Sequence, residues 1–148
     1  DDASIMIRMN NNVKGNLSIS QIATGQENNF TISIYGEEGA LHWSQENPNY
    51  AKFSKIGSAD QIITRGGPIQ NKNAYAPTRI PPGHPEGYLE GFAQIYSDAA
   101  DIILNHENKK QLLELLPGGD SGIQIMKFIN ASVNSSKNNS IWTDLNSI

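Results

Sequence analysis

Phe30-Thr-Ile-Ser-Ile-Tyr-Gly-Glu-Glu-Gly-Ala-Leu-His-Trp43 decides the architecture of this chain. Phe30, Ile32 and Ile34 alternate with Thr31, Ser33 and Tyr35, the period of a strand with one buried face. Gly36-Glu-Glu-Gly39 closes a hairpin, and Ala40-Leu-His-Trp-Ser44 returns as its second strand. Upstream, residues 4–9 begin with an apolar run and Asn10-Asn-Asn-Val-Lys-Gly15 turns the chain. Leu17, Ile19 and Ile22 then continue with one break in alternation near Ser20-Gln21, where a bulge or a change of exposed face fits. Downstream, two more short strands are expected around residues 50–56 and 61–65. About six strands joined by short turns imply a largely antiparallel meander.

The second half reads as helical. A long loop runs from Gly66 to Pro85, and Pro77, Pro81, Pro82 and Pro85 each fix one φ angle and push the preceding residue toward extended geometry. Pro85 suits an early helix position, with Glu86 in the first turn at the positive end of the macrodipole. Leu89, Phe92, Ala93, Tyr96, Ala100 and Ile103 then form one stripe at steps of three and four, so a helix is expected over residues 86–106. His84 therefore sits just before a helix on a stiff loop. Residues 112–116 suit a short turn or helix. Asp120 or Ser121 can cap a further helix with a stripe of Ile125, Met126, Ile129 and Val133, and Ser140-Ile-Trp-Thr-Asp144 reads as a last strand. Strands first and helices later give an α+β fold: a largely antiparallel open sheet of about six or more strands with helices packed on one face. The opposite face is too large to stay bare if it is apolar.

Composition narrows the function. The 148 residues suit one domain. A net charge of −4 and scattered basic residues argue against a nucleic-acid partner. No apolar run approaches the ~18 residues that cross a bilayer, and no signal peptide opens the chain, so no membrane partner is expected. The absence of cysteine excludes disulfides and thiolate metal sites and fits a reducing cytoplasm. Three scattered histidines without paired ligand spacing make no metal site. The five Asn-x-Ser/Thr sequons read as chance in an Asn- and Ser-rich chain.

Four blocks, in order, resemble the C-terminal domain of the Gfo/Idh/MocA family of NAD(P)-dependent oxidoreductases. They are Leu17-Ser-Ile-Ser-Gln-Ile-Ala-Thr-Gly25, the hairpin from Phe30 to Trp43, the block Thr78-Arg-Ile-Pro-Pro-Gly-His-Pro-Glu-Gly-Tyr-Leu-Glu-Gly-Phe-Ala-Gln-Ile-Tyr96, and Gly122-Ile-Gln-Ile-Met-Lys-Phe-Ile-Asn-Ala-Ser-Val-Asn-Ser-Ser136 with Trp142. The family's G-x-G-x-x-G/A turn, its Glu-Lys-Pro motif with the catalytic lysine and its Asp-x-x-x-His element do not occur. The resemblance therefore implies residues 1–148 as a single substrate-binding and dimerisation domain, without the dinucleotide-binding domain. It implies a parent enzyme that moves hydride between NAD or NADP and a hydroxyl of a sugar or cyclic polyol. The fragment alone is expected to bind no cofactor and to be inactive, and a homo-oligomer is expected through the open sheet face. The alternative is a non-catalytic sugar-sensing or scaffold module of the same fold.

No catalytic residue is assigned within the chain; four residues are expected to bind substrate. His84 can bind a substrate hydroxyl or carboxylate, cap the following helix, or hydrogen-bond within its loop; an imidazole suits a polyol because it both donates and accepts. Arg79 offers a fork of donors to a carboxylate, a pair of sugar oxygens or a cofactor phosphate, against a structural pairing with Glu86 or Glu90. Tyr88 can reach the cleft with its hydroxyl or pack in the first helical turn. Gln21 can touch substrate or make a cross-strand hydrogen bond. Tyr35 and Trp43 read as core or interface aromatics, His42 as a surface or interface residue, and His106 as a structural residue at a helix end.

Overall fold

Among the described residues, alternating side chains produce six strands, all antiparallel to their neighbours: β1 Asp2–Arg8, β2 Lys14–Ser20, β3 Thr31–Tyr35, β4 Gly39–Ser44, β5 Tyr50–Lys55 and β6 Gln61–Thr64. Helices α1 Tyr88–Leu104 and α2 Gly119–Lys137 follow, then a short 3-10 turn at Leu145–Ser147. The computed structural model describes residues 1–68, 77–104, 113–114 and 116–147. His106 lies outside them, as do Leu112 and Leu115 of the short turn or helix expected over 112–116, where Leu113 and Glu114 are helical. Strands and helices together make the α+β class that the sequence implied.

The chain divides into two compact units. The first comprises Asp1–Gly25 and Lys110–Ile148. Its β1 and β2 form a two-stranded sheet in continuous register from Asp2 opposite Ser20 to Arg8 opposite Lys14. No bulge interrupts it: β2 ends at Ser20, and the Gln21 amide donates to the Asp1 carbonyl. In the same unit the Arg8 guanidinium lies 4.0 Å over the Trp142 ring, a cation–π contact.

The second unit, Gln26–Lys109, carries a four-stranded sheet in the order β3-β4-β5-β6. The register sets Ile34, Leu41 and Phe53 in one row and Ile32, Trp43, Ala51 and Ile63 in the next, all on one apolar face. Phe30 meets Trp43 edge-on there, with ring centroids 6.0 Å apart. The opposite face is largely polar, with Ile62 its apolar member on β6. Ser33, His42 and Lys52 form a row across it, with the Ser33 hydroxyl 2.8 Å from His42 Nδ1 and Lys52 paired with Asp60 at 2.8 Å.

Three expectations about ends are corrected. Helix α1 starts at Tyr88, so Pro85 and Glu86 precede it; the Glu86 carboxylate is drawn to an arginine and two loop amides instead of the first turn. Gly118 occupies the N-cap position before α2 with no side-chain cap, and Asp120 lies in the first turn rather than capping. The segment expected as a last strand pairs with no other strand among the described residues. Asn139 and Ser140 both adopt positive φ, and the Ile141 carbonyl accepts from the Ser135 hydroxyl, which folds the chain back on α2.

Candidate functional site

The Pro-Gly loop before α1 carries few amides and many carbonyls, and its geometry follows from that imbalance. Pro81-Pro82-Gly83-His84 forms a turn closed by the His84 amide donating to the Pro81 carbonyl at 3.3 Å. Proline at the second position and glycine at the third, with φ of 85° at Gly83, is the type II pattern. The carbonyls that proline leaves without partners receive donors from Arg65, which follows directly on β6. Its Nη1 donates to the Ile80 carbonyl at 3.0 Å, and its Nη2 to the carbonyls of His84 at 2.5 Å and Pro81 at 3.4 Å.

Glu86 anchors the same loop. One carboxylate oxygen lies 2.5 Å from Arg65 Nη1, and the other accepts the amides of Arg79 at 2.7 Å and Ile80 at 3.1 Å. The Glu86 side chain is only 7% exposed and that of Arg65 14%, so this is a buried ion pair with its lone pairs satisfied. Asn49, in the turn between β4 and β5, completes the assembly. Its Oδ1 accepts from Arg65 Nε at 2.8 Å and the Glu86 amide at 3.0 Å, while its Nδ2 donates to the Glu86 carbonyl at 2.9 Å.

A cavity of about 340 Å³ opens beside this brace. Asn47, Tyr50, Thr64, Gly83 and His84 line it together with Asn49, Arg65 and Pro85. Tyr50 and Thr64 are register partners on the polar face of the sheet, so the cavity opens on that face, against the loop. Asparagine amides, two hydroxyls and an imidazole converge there, and each can both donate and accept. That set matches a compact, hydroxyl-rich molecule.

Of the four residues expected to bind substrate, His84 lines the cavity and is exposed. Arg79 shares its loop but turns to α1: its Nε donates to Gln94 Oε1 at 3.0 Å and its Nη2 to the Ala93 carbonyl at 3.3 Å. Neither Glu86 nor Glu90 receives its guanidinium in these hydrogen bonds; Glu86 takes only the Arg79 backbone amide. Tyr88 opens α1 with its ring 4.8 Å from that of Phe92, one turn on. Gln21 follows β2 in the other unit. Sequence reasoning did not single out Asn47, Asn49, Tyr50 or Thr64, and left Arg65 unassigned. An Asn-Pro-Asn turn between two strands, Asn47-Pro48-Asn49, was the signal available for the first two.

Charge near the loop is locally balanced. Glu90 is held below its ordinary value of 4.5, first by the Gly87 amide donating to its carboxylate at 2.9 Å, with Arg65 and Arg79 adding smaller attraction. On the polar sheet face, hydrogen bonding to Asp60 raises Lys52, and Lys52 followed by Ser54 lowers Asp60. Among the described residues no group of three or more His, Asp or Glu side chains is placed to hold a metal ion. Nor do the amides at the start of α1 form a cradle for pyrophosphate: those of Glu86 and Gly87 are taken by Asn49 and Glu90.

The sequence profile described as "Oxidoreductase family, C-terminal alpha/beta domain" matches residues 1–145. An oxidoreductase structure from Sinorhizobium meliloti is 38% identical, superposes with a TM-score of 0.89, and aligns with 97% of this chain and 41% of its own. The uncharacterized oxidoreductase YfiI of Bacillus subtilis is 29% identical over 147 residues, which are 97% of this chain and 37% of that protein. An inositol dehydrogenase homolog from Azotobacter vinelandii, solved in complex with NADH and myo-inositol, shares the fold at 24% identity with a TM-score of 0.86, over 97% of this chain and 39% of that one. The chain thus spans about two-fifths of the length of these relatives. It belongs to the Gfo/Idh/MocA oxidoreductase family and forms the C-terminal α/β domain of that family.

Proposed function

We propose that this chain is the substrate-facing half of a dehydrogenase that moves hydride between NAD or NADP and a hydroxyl-bearing carbon of a sugar or cyclic polyol. The observation that carries this reading is the cavity of about 340 Å³ on the polar sheet face, where Asn47, Asn49, Tyr50, Thr64 and His84 offer groups that donate and accept beside an Arg65 already engaged by the loop. A nicotinamide dinucleotide, bound by the nucleotide-binding half, would supply the redox chemistry. The residues of this chain bind and orient: His84 and Tyr50 pair with substrate hydroxyls, Asn47 and Thr64 fix the ring's face, and the loop shields the site from water. Arg79, Tyr88 and Gln21 are further candidates for substrate contact in the full-length protein. The cytoplasm is the compartment this reading assigns, where a chain without cysteine is at no disadvantage.

A homo-oligomer through the open sheet face belongs to the same reading. The polar face that walls the cavity also presents Tyr35, which is 82% exposed, beside His42 and Lys52, a mixed surface suited to a second copy.

The test is reduction of NAD⁺ and NADP⁺ by the full-length protein across a panel of sugars and inositols, with His84→Ala alongside. Turnover should fall by about tenfold or more in the variant, the cost of a substrate hydroxyl left unpaired. Unchanged turnover would remove His84 from the site. Polyol binding without any turnover would favour the sensing module instead.

A further inference from the structure

We propose that Arg65 is a positioning residue for His84, locked in place by Glu86 and Asn49, and does not itself bind substrate. This rests on the reading of His84 as a substrate contact, and it follows from counting donors. A guanidinium has five N–H groups in a fixed fork. Arg65 spends them on five acceptors: Asn49 Oδ1, the Ile80 carbonyl, a Glu86 carboxylate oxygen, and the carbonyls of Pro81 and His84. None is left to point into the cavity, although Arg65 lines it. Its charge is neutralised by Glu86, whose second oxygen fixes the amides of Arg79 and Ile80.

The geometry also says what is positioned. Of the three loop carbonyls that Arg65 reaches, the nearest is that of His84, the residue whose ring edges the cavity. Around it the chain from Arg79 to Glu86 is fastened at alternating ends, by Glu86 on one side and Asn49 on the other. An arginine on a strand end thus sets the register of a proline-rich loop that lacks the amides to set its own. Lysine would keep the charge and lose the fork.

The experiment uses the full-length protein with Arg65→Lys, His84→Ala and the double variant, assayed for NAD⁺ reduction with myo-inositol, together with the NMR signals of the histidine rings recorded without substrate. Misplacing a contact by about 1 Å can cost on the order of 100-fold, so Arg65→Lys should lower kcat/KM by about tenfold or more. If Arg65 acts through His84, the double variant should match His84→Ala within about twofold. The His84 ring signal should move toward that of a free loop in Arg65→Lys, while that of His42 stays. Glu86→Gln, which keeps the side-chain shape, serves as a second variant and should shift the same signal. Additive losses, or a His84 signal unmoved in both variants, would overturn the positioning role. Full turnover in His84→Ala with the ring signal still displaced by Arg65→Lys would instead remove the substrate contact and leave the brace standing.

Discussion

Glu86 is the residue on which the loop depends most. Its carboxylate is buried against Arg65 and holds two amides, so truncation strands an arginine and two donors. Breaking a buried pair from one side costs about 3–5 kcal/mol. Glu86→Ala should therefore lower the unfolding free energy by an amount in that range, read as a fall in the urea midpoint at an unchanged m-value. A loss below about 1 kcal/mol would mean that water reaches the pair freely, as for surface bridges. Gly66 is the second such residue. It follows Arg65 with φ of 72°, and a Cβ there would meet Pro82 Cγ at 2.9 Å. Gly66→Ala combines left-handed strain with that clash, so about 1–3 kcal/mol is expected. The same urea titration reads it.

At the scale of elements, α1 begins where Glu90 reaches back to the Gly87 amide, the acidic half of a capping box. That contact holds the Glu90 carboxyl below its ordinary 4.5. A depressed acid adds stability that is complete above its unfolded value and lost as pH falls through the lower folded value. NMR titration of the Glu90 carboxyl should give a midpoint below 4.5, with the Gly87 amide losing protection over the same range. A midpoint at or above 4.5 would show that the cap is not formed. The six strands were legible because alternation such as Phe30, Ile32, Ile34 is a local signal. The end of the chain was not: Ile141 and Trp142 look like strand residues, but the positive φ of Asn139 and Ser140 turns them back on α2. The site divides the same way. His84 stood out because proline and glycine mark its loop, whereas Asn49 and Arg65 reach it from the β4–β5 turn and the end of β6. Sequence separations of 37 residues, as between Asn49 and Glu86, leave no local trace.

Across the whole chain, large apolar side chains stay exposed. Ile34 is 59% exposed on the apolar sheet face, and Leu89 76% and Ile103 73% on α1. Surfaces of this kind rarely face water in a stable protein. The relatives are well over twice as long as this chain, so in proteins of that length there is further chain to meet such surfaces. The polar face, with Tyr35, His42 and Lys52, is assigned to the second copy. Sedimentation of the full-length protein should show a dimer or larger, and Tyr35→Ala should shift it toward monomer, since an exposed aromatic at the centre of an interface is worth about 2 kcal/mol or more. A monomer at all concentrations would remove that assignment.

The most direct test of the site is a crystal structure of the full-length protein with NAD⁺ and myo-inositol bound. A ring nitrogen of His84 should lie within about 3.2 Å of a polyol hydroxyl, with the Arg65 guanidinium still bound to the loop carbonyls. A polyol seated away from the cavity, with His84 more than about 5 Å from every hydroxyl and no water between them, would contradict the assignment.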